Sequence, residues 1–227
     1  MSNRLALFDC DGTLVDSQAN ICAAMAHAFK TAGLTPPDDS ATRRIVGLNL
    51  VEAVAVLLPG DDDRLNAEVA QGYKDSFLTL RSNGVLGDEP LYDGIAEALD
   101  AIEDAGWLLG IATSKSDRGL TRLLDELGLT KRFVTLQTSC RHPSKPHPSM
   151  IETAMTDAGA VAETTVMIGD TSFDMAMGGN AGAHALGVLW GYNGHEDLIS
   201  SGADAVCKHL DGLLEAMERL TCQIANR

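Results

Sequence analysis

Residues 5–15 read Leu-Ala-Leu-Phe-Asp-Cys-Asp-Gly-Thr-Leu-Val, and they are the strongest indication of the fold in this chain. The run from Leu5 to Phe8 is short and apolar, which is typical of a strand buried inside a sheet. It ends at Asp9, and Gly12 breaks the pattern. A buried strand that ends in acidic residues predicts a polar site at the carboxyl edge of a parallel sheet, where open α/β folds bind their ligands.

After residue 88 the chain alternates between short apolar runs and helical patterns. The apolar runs are 107–113, 133–138, 165–168, 185–189 and 203–207, and the helical patterns are 94–105, 117–127, 149–158, 173–181 and 210–220. Strands and helices that alternate in this way favour a parallel sheet with helices on both faces. We therefore predict an α/β fold class.

The stretch between the first strand and this alternation contains helical patterns only. Residues 18–32 are rich in Ala and Met, residues 40–58 are helical with a bend at Gly47, and residues 63–82 form a longer polar helix. The predicted division is an α/β core of residues 1–15 and 86–227 with an all-helical insertion of residues 16–85.

Composition restricts the partners and the compartment. The chain of 227 residues has 17 basic and 32 acidic side chains, and its net charge of −15 repels nucleic acid and anionic lipid. The five cysteines are odd in number and lack C-x-x-C spacing, so we expect reduced thiols in the cytoplasm. We expect no signal peptide and no membrane partner, because no apolar run approaches about 20 residues. The oligomeric state stays open, and a monomer is compatible with the sequence.

Polar side chains follow four of the predicted strands. They are Asp9 and Asp11 after the first strand, Thr113, Ser114 and Lys115 after the second, Lys145 after the third, and Asp170 and Asp174 after the fourth. Because the carboxyl ends of parallel strands meet at one edge of a sheet, we expect the four acids to converge there with a lysine, Lys145, and a hydroxyl, that of Thr113. Such a set suits phosphoryl transfer with a metal ion.

The acids have distinct predicted roles. Crowded carboxylates need a cation, and ligands that are all oxygen favour Mg²⁺, so Asp9, Asp170 and the backbone carbonyl of Asp11 are the predicted metal ligands. Asp9 is also the predicted nucleophile, since an aspartyl phosphate divides one difficult displacement into two easier ones. Asp11 is predicted to protonate the leaving alkoxide and then to activate water.

The remaining residues are predicted to stabilise the phosphate. Lys145 and Mg²⁺ together offset the charge of Asp9 and of the phosphate. Asp174 is predicted to orient Lys145 or a metal-bound water. The predicted hydrogen-bond donors to phosphate oxygens are the hydroxyl of Thr113 and the N–H groups of Asp11, Gly12 and Ser114.

The order and spacing of these motifs resemble the haloacid dehalogenase (HAD) superfamily of phosphohydrolases. The motifs are Asp9-x-Asp11-Gly12-Thr13-Leu14-Val15, Thr113, Lys145 and Gly169-Asp170-x-x-x-Asp174. The resemblance implies a Rossmann-like core, an aspartyl-phosphate intermediate, magnesium, and a mobile cap made of the inserted helices. Within the superfamily, the chain most resembles the phosphoglycolate phosphatase-like branch, in Asp16-Ser17, Lys145-Pro146-x-Pro148 and Trp190-Gly191-Tyr192. Cys10 departs from this branch, in which Phe is common at that position.

The resemblance implies hydrolysis of a small phosphorylated metabolite, with phosphoglycolate as the leading candidate. Asp11 argues against a dehalogenase, because a halide leaving group needs no proton. A sugar phosphomutase and a phosphate-binding protein without turnover remain alternatives. Arg43 and Arg44 in the insertion are read either as contacts to a second anionic group of the substrate or as a solvated helix face.

Overall fold

The computed structural model describes residues 2–60 and 62–222 and has a parallel sheet of six strands at its centre. The strands are β1 Asn3–Phe8, β2 Leu108–Thr113, β3 Phe133–Thr138, β4 Ala160–Gly169, β5 His184–Val188 and β6 Ala205–Cys207. Their order across the sheet is β3-β2-β1-β4-β5-β6, and every neighbouring pair is parallel. The first strand therefore lies in the middle, beside the point where the strand order reverses, and the predicted α/β fold is confirmed.

Helices cover both faces of this sheet. In the core they are α5 Ile95–Asp104, α6 Asp117–Glu126, α7 Ser149–Ala158, α8 Ser172–Asn180, α9 His195–Ser200, a 3₁₀ turn at Leu210–Gly212, and α10 Leu213–Cys222. Successive side chains of β1 point to opposite faces. Ala6 and Phe8 pack with buried residues of α5, α6 and α10, whereas Leu5 and Leu7 pack with those of α7 and α8. A strand that is apolar on both faces is thus explained by helices on both sides.

The insertion after β1 consists of α1 Gln18–Thr31, α2 Asp39–Arg44, α3 Leu50–Leu57 and α4 Asp63–Ser82. These helices pack around a hydrophobic cluster of their own, made of Met25, Phe29, Ile45, Ala53, Val54, Val69 and Ala70. The bend predicted at Gly47 lies between α2 and α3, where the backbone adopts φ +107°. Within the described residues, no helix combines the length and the apolar character that crossing a bilayer requires.

Three elements in the C-terminal half differ most from the sequence prediction. β4 begins at Ala160 rather than at Thr165, because its first residues pair only with the irregular start of β1 at Asn3. α9 was not predicted, since only Leu198 of its six residues is buried and the segment has no apolar periodicity. α10 begins at Leu213, after a 3₁₀ turn.

Candidate active site

The turn after β1 carries the first two predicted site acids. The N–H of Asp9 donates to the carbonyl of Ile168 on β4 (2.9 Å), which extends the sheet to the base of the site. Gly12 turns the chain with φ +89°, a conformation that favours glycine. A Cβ at Gly12 would overlap the carboxylate of Asp170, so a side chain has no room there. Cys10 between the two acids is buried in the core, as predicted.

The N–H of Gly12 does not fit its predicted role. It donates to the carbonyl of Val15 at 3.0 Å and closes the turn. This donor is therefore not free for a phosphate oxygen, and the prediction for Gly12 is corrected: the residue allows the close approach of Asp170.

Asp170 follows the end of β4 and is fully buried. Its Oδ1 accepts a hydrogen bond from Thr13 Oγ1 (2.7 Å), and its Oδ2 accepts one from the N–H of Tyr192 (2.8 Å). Gly191 leaves space for this carboxylate, because a Cβ at that position would overlap Asp170 as well. These contacts give a structural role to Thr13 of the Asp9–Val15 motif and to Gly191-Tyr192 after β5, because all three residues position the carboxylate of Asp170.

Lys145 lies in the loop between β3 and α7 and has no exposed surface. Its Nζ is 2.6 Å from Oδ1 of Asp174 and 2.8 Å from Oδ1 of Asp9. Burial disfavours the ammonium, but the carboxylates of Asp174 and Asp9 outweigh it and hold the pKa of Lys145 above its ordinary value. Asp174 is itself fixed by Thr171, whose N–H (3.1 Å) and Oγ1 (2.7 Å) both donate to Oδ2.

The acids near Lys145 fit a divalent cation. Oxygens of Asp9, Asp170 and Asp174 lie within 4.8 Å of one another. Burial raises the pKa of Asp9 to about 6 despite the opposing charge of Lys145, and burial with the charges of Asp9 and Asp174 raises the pKa of Asp170 well above its ordinary value. In the described part of the chain, the buried Oδ1 of Asp9 has its ion pair but no hydrogen-bond donor of proper geometry. One lysine thus leaves negative charge uncompensated, and a hard cation with oxygen ligands suits the site.

Asp11 stands apart from this group. Its Oδ1 accepts from Lys115 Nζ at 2.7 Å and from Ser17 Oγ at 2.5 Å. Lys115 was noted in the sequence at the end of the second strand, but no partner was predicted for it. Thr113 and Ser114 lie beside it at the end of β2, and the buried hydroxyl oxygen of Thr113 accepts from the N–H of Lys115 (3.2 Å). The structure thus places Lys115 and Ser17 at Asp11, while Lys145 and the other acids gather around Asp9.

A cleft of about 710 Å³ separates the inserted helices from the core. Asp11, Ser114 and Lys115 line it from the core, and Asn49 and Phe77 are among the residues that line it from the insertion. The N–H of Asn49 donates to Ser144 Oγ at 2.8 Å, which ties the α2–α3 turn to the residue before Lys145. Among the described residues that form the cleft, neither Arg43 nor Arg44 is present, and the cations that line it are Lys74, Arg81, Lys115, Arg118 and Arg122.

Sequence reasoning missed a buried acid beside this cleft. The side chain of Glu89 has no exposed surface and contacts Arg81, Lys115 and Arg122. In the sequence, these residues look like ordinary members of a charged surface. Nothing in their spacing indicates that they meet, because Lys115 and Arg122 lie 26 and 33 residues from Glu89.

Comparison with known proteins agrees with the fold and with the motifs. The model of the family described as haloacid dehalogenase-like hydrolase matches residues 6–188. A protein of Dickeya dadantii named "Probable phosphatase IndB" is 37% identical over 200 residues, covering 86% of this chain and 84% of its own. The phosphoglycolate phosphatase of Mesorhizobium japonicum is 28% identical over 222 residues, covering 97% of each chain.

Among solved structures, that of a predicted phosphatase from Clostridium acetobutylicum superposes with a TM-score of 0.85 over 96% of this chain and 100% of its own, at 24% identity. Such a likeness supports the fold alone. The family model and the relative from Dickeya each cover most of the chain. The protein therefore belongs to the haloacid dehalogenase-like hydrolases, and within them to the phosphoglycolate phosphatase-like branch.

Proposed function

We propose that the protein is a magnesium-dependent phosphatase that hydrolyses a small phosphorylated metabolite through an aspartyl phosphate on Asp9. The observation that carries this proposal is the contact of Lys145 with Asp9 and Asp174, with Asp170 close enough to share one cation with both acids. The relatives named as phosphatases support the same reaction.

In the first step, a carboxylate oxygen of Asp9 attacks phosphorus and the bond to the leaving oxygen breaks. Asp11 donates its proton to that oxygen, so that the leaving group departs as an alcohol. In the second step, Asp11 takes a proton from water as the water oxygen attacks the phosphorus of the acyl phosphate. Inorganic phosphate leaves, and Asp9 and Asp11 return to their starting states.

Positive charge makes this attack possible. Asp9, Asp170 and the backbone carbonyl of Asp11 would hold the magnesium ion, which when bound supplies charge that offsets the repulsion between the acids and a phosphate dianion. Lys145 supplies the second positive charge, and Asp174 keeps its ammonium beside Asp9. The hydroxyl of Thr113 and the N–H groups of Asp11 and Ser114 donate to phosphate oxygens.

Residues 16–85 act as a cap in this proposal. They close the cleft above Asp11, exclude water during transfer to Asp9, and contact the part of the substrate beyond the phosphate. Phosphoglycolate is the leading substrate, because relatives from several organisms carry the name phosphoglycolate phosphatase.

The test is hydrolysis of p-nitrophenyl phosphate by the wild type and by Asp9→Asn, with magnesium and with EDTA. With magnesium we expect hydrolysis by the wild type and by the control Asp93→Asn, because Asp93 is exposed. We expect none by Asp9→Asn and none by any of the three proteins with EDTA. Normal turnover by Asp9→Asn would exclude Asp9 as the nucleophile. A wild type that binds phosphate without hydrolysis would be a binding protein, and isomerisation of a sugar phosphate with little phosphate release would identify a phosphomutase.

A further inference from the structure

Glu89 is a buried acid with cations from three separate elements around it. It lies in the segment between α4 and α5, and its side chain has no exposed surface. Arg81 comes from the end of α4, Lys115 follows β2, and Arg122 lies on α6. Burying a carboxylate is unfavourable unless it is paired, and these three partners account for its burial.

The two oxygens of Glu89 have different partners. Oε2 accepts from Arg122 at 2.9 Å and from both terminal nitrogens of Arg81 at 3.3 Å. Oε1 faces Lys115 Nζ at 3.3 Å. The arginines thus fix the carboxylate from one side, and its other oxygen is left to hold the ammonium of Lys115.

Lys115 links Glu89 to Asp11. The same Nζ that faces Glu89 lies 2.7 Å from Oδ1 of Asp11, and Ser17 Oγ donates to that oxygen too. Two donors therefore occupy Oδ1. Among the described residues, none donates to Oδ2, and Asp11 lines the cleft. This arrangement leaves one defined oxygen of Asp11 for a proton transfer in the cleft.

We propose that Glu89 is a positioning residue for the reaction: it fixes Lys115, and Lys115 holds Asp11 with Oδ2 directed at the leaving group. The inference rests on the proposed function, in which Asp11 is the general acid. Glu89 does not touch the reacting atoms and acts only through Lys115.

The network also joins the insertion to the core. Arg81 of α4 and Arg122 of α6 approach the ring of Phe77 at 5.8 and 5.9 Å from its centre, besides sharing Glu89 Oε2. Three cations face the carboxylate of Glu89, and one of them, Lys115, also faces Asp11. Without Glu89 the three cations would repel one another, and Lys115 would lose its fixed position.

The experiment compares phenyl phosphate with p-nitrophenyl phosphate, two substrates of similar shape. Nitrophenol is the more acidic leaving group and needs little help from an acid, whereas phenol, with a pKa of about 10, does. A positioned acid contributes about 10²–10⁴-fold, so we expect Glu89→Gln to lower kcat/KM about tenfold more for phenyl phosphate. kcat/KM is the useful quantity because it is unaffected by hydrolysis of the aspartyl phosphate.

Lys115→Met should show the same dependence on the leaving group, and Glu89→Gln should add little in that background, because it acts through Lys115. Glu103→Gln is the matched control, since Glu103 pairs with Arg132 at the surface. If Glu89→Gln does not fold, Glu89→Asp keeps the charge, withdraws the carboxylate by one methylene, and should give a smaller loss of the same kind.

The outcomes separate the two proposals. An equal loss on both aryl phosphates, or full additivity with Lys115→Met, would mean that Glu89 only stabilises the fold and would overturn the inference. A wild type that hydrolyses neither compound with magnesium would instead overturn the proposed function.

Discussion

Oδ1 of Asp174 lies 2.6 Å from Nζ of Lys145, and neither side chain has any exposed surface. The other oxygen of Asp174 is fixed by Thr171 at the start of α8, so the acid is held before any ligand binds. Lys145 therefore receives its orientation from a helix of the core, although it lies in a loop. The geometry supports the proposed role of Asp174 as a support for Lys145.

Removal of Asp174 tests this relationship. We expect Asp174→Asn to destabilise the fold by about 3–5 kcal/mol, as other broken buried ion pairs do, and to lower kcat at least tenfold. Urea unfolding and steady-state kinetics measure the two effects. Asp117→Asn is the control, because Asp117 pairs with Arg141 at the surface and should change stability by about 1 kcal/mol or less. An Asp174→Asn variant with normal kcat would contradict the role in catalysis.

Gly12→Ala is expected to damage the metal site. The new Cβ would sit in a left-handed backbone conformation at φ +89° and would overlap the carboxylate of Asp170. Strain and overlap of this kind cost about 1–3 kcal/mol each, and displacement of Asp170 should weaken magnesium binding in calorimetry.

Gly33→Ala provides the matched control for that variant. Gly33 has φ +74°, but a Cβ there meets nothing within 4 Å. It should show the loss from backbone strain without the loss of magnesium affinity. If Gly12→Ala and Gly33→Ala bind magnesium equally well, the overlap of the new Cβ with Asp170 does not disturb the metal site, and the prediction is wrong.

The stability of the protein should depend on pH and magnesium together. Burial raises the pKa of Asp9 to about 6, so the folded state binds a proton more tightly than the unfolded chain, where the pKa is about 3.9. Ionised Asp9 thus destabilises the metal-free fold, and this contribution grows as pH rises from about 4 to about 6. Magnesium binds the ionised form of Asp9 and should therefore reverse this destabilisation.

We therefore expect magnesium to raise Tm more at a pH of about 7.5 than at about 5, where protonated acids compete with the metal. Thermal unfolding with and without magnesium chloride at the two pH values measures the difference. In Asp9→Asn the gain at the higher pH should be much smaller. The same gain at both pH values would show that the raised pKa of Asp9 is not coupled to metal binding.

Ser144→Ala tests the contact between the insertion and the core. It removes the acceptor for the N–H of Asn49, a hydrogen bond of 2.8 Å, and such bonds contribute about 0.5–1.5 kcal/mol. If the docked arrangement binds substrate, KM should rise about two- to tenfold with a smaller change in kcat. Ser82→Ala is the control, because that hydroxyl donates to the carbonyl of Thr79 within α4. An unchanged KM would argue against docking through this bond.

The sequence was most informative where a pattern is local. Glycines and apolar runs predicted β3 at 133–138 and α7 at 149–158 with the observed bounds. The acids at strand ends could be placed because parallel strands bring their carboxyl ends to one edge. α9 could not be predicted, since a short polar helix with one buried residue leaves no periodic signal.

The pairing of charges was beyond the sequence for a related reason. Lys115 and Glu89 are 26 residues apart, and Lys115 and Asp11 are 104 apart. Only the folded chain decides that the lysine turns towards these two acids and away from solvent. The motif does not specify the course of the turn after β1, so the sequence could not show that the N–H of Gly12 bonds the carbonyl of Val15. The sequence prediction therefore assigned this N–H to phosphate.

The central position of β1 has a consequence for synthesis on the ribosome. Its neighbours in the sheet are β2, which begins at Leu108, and β4, which is complete only at Gly169. The first strand to emerge must therefore wait for most of the chain, while the four helices that follow it can pack with one another at once. We expect the apolar residues 5–8 to be the segment that most needs protection by a chaperone during translation.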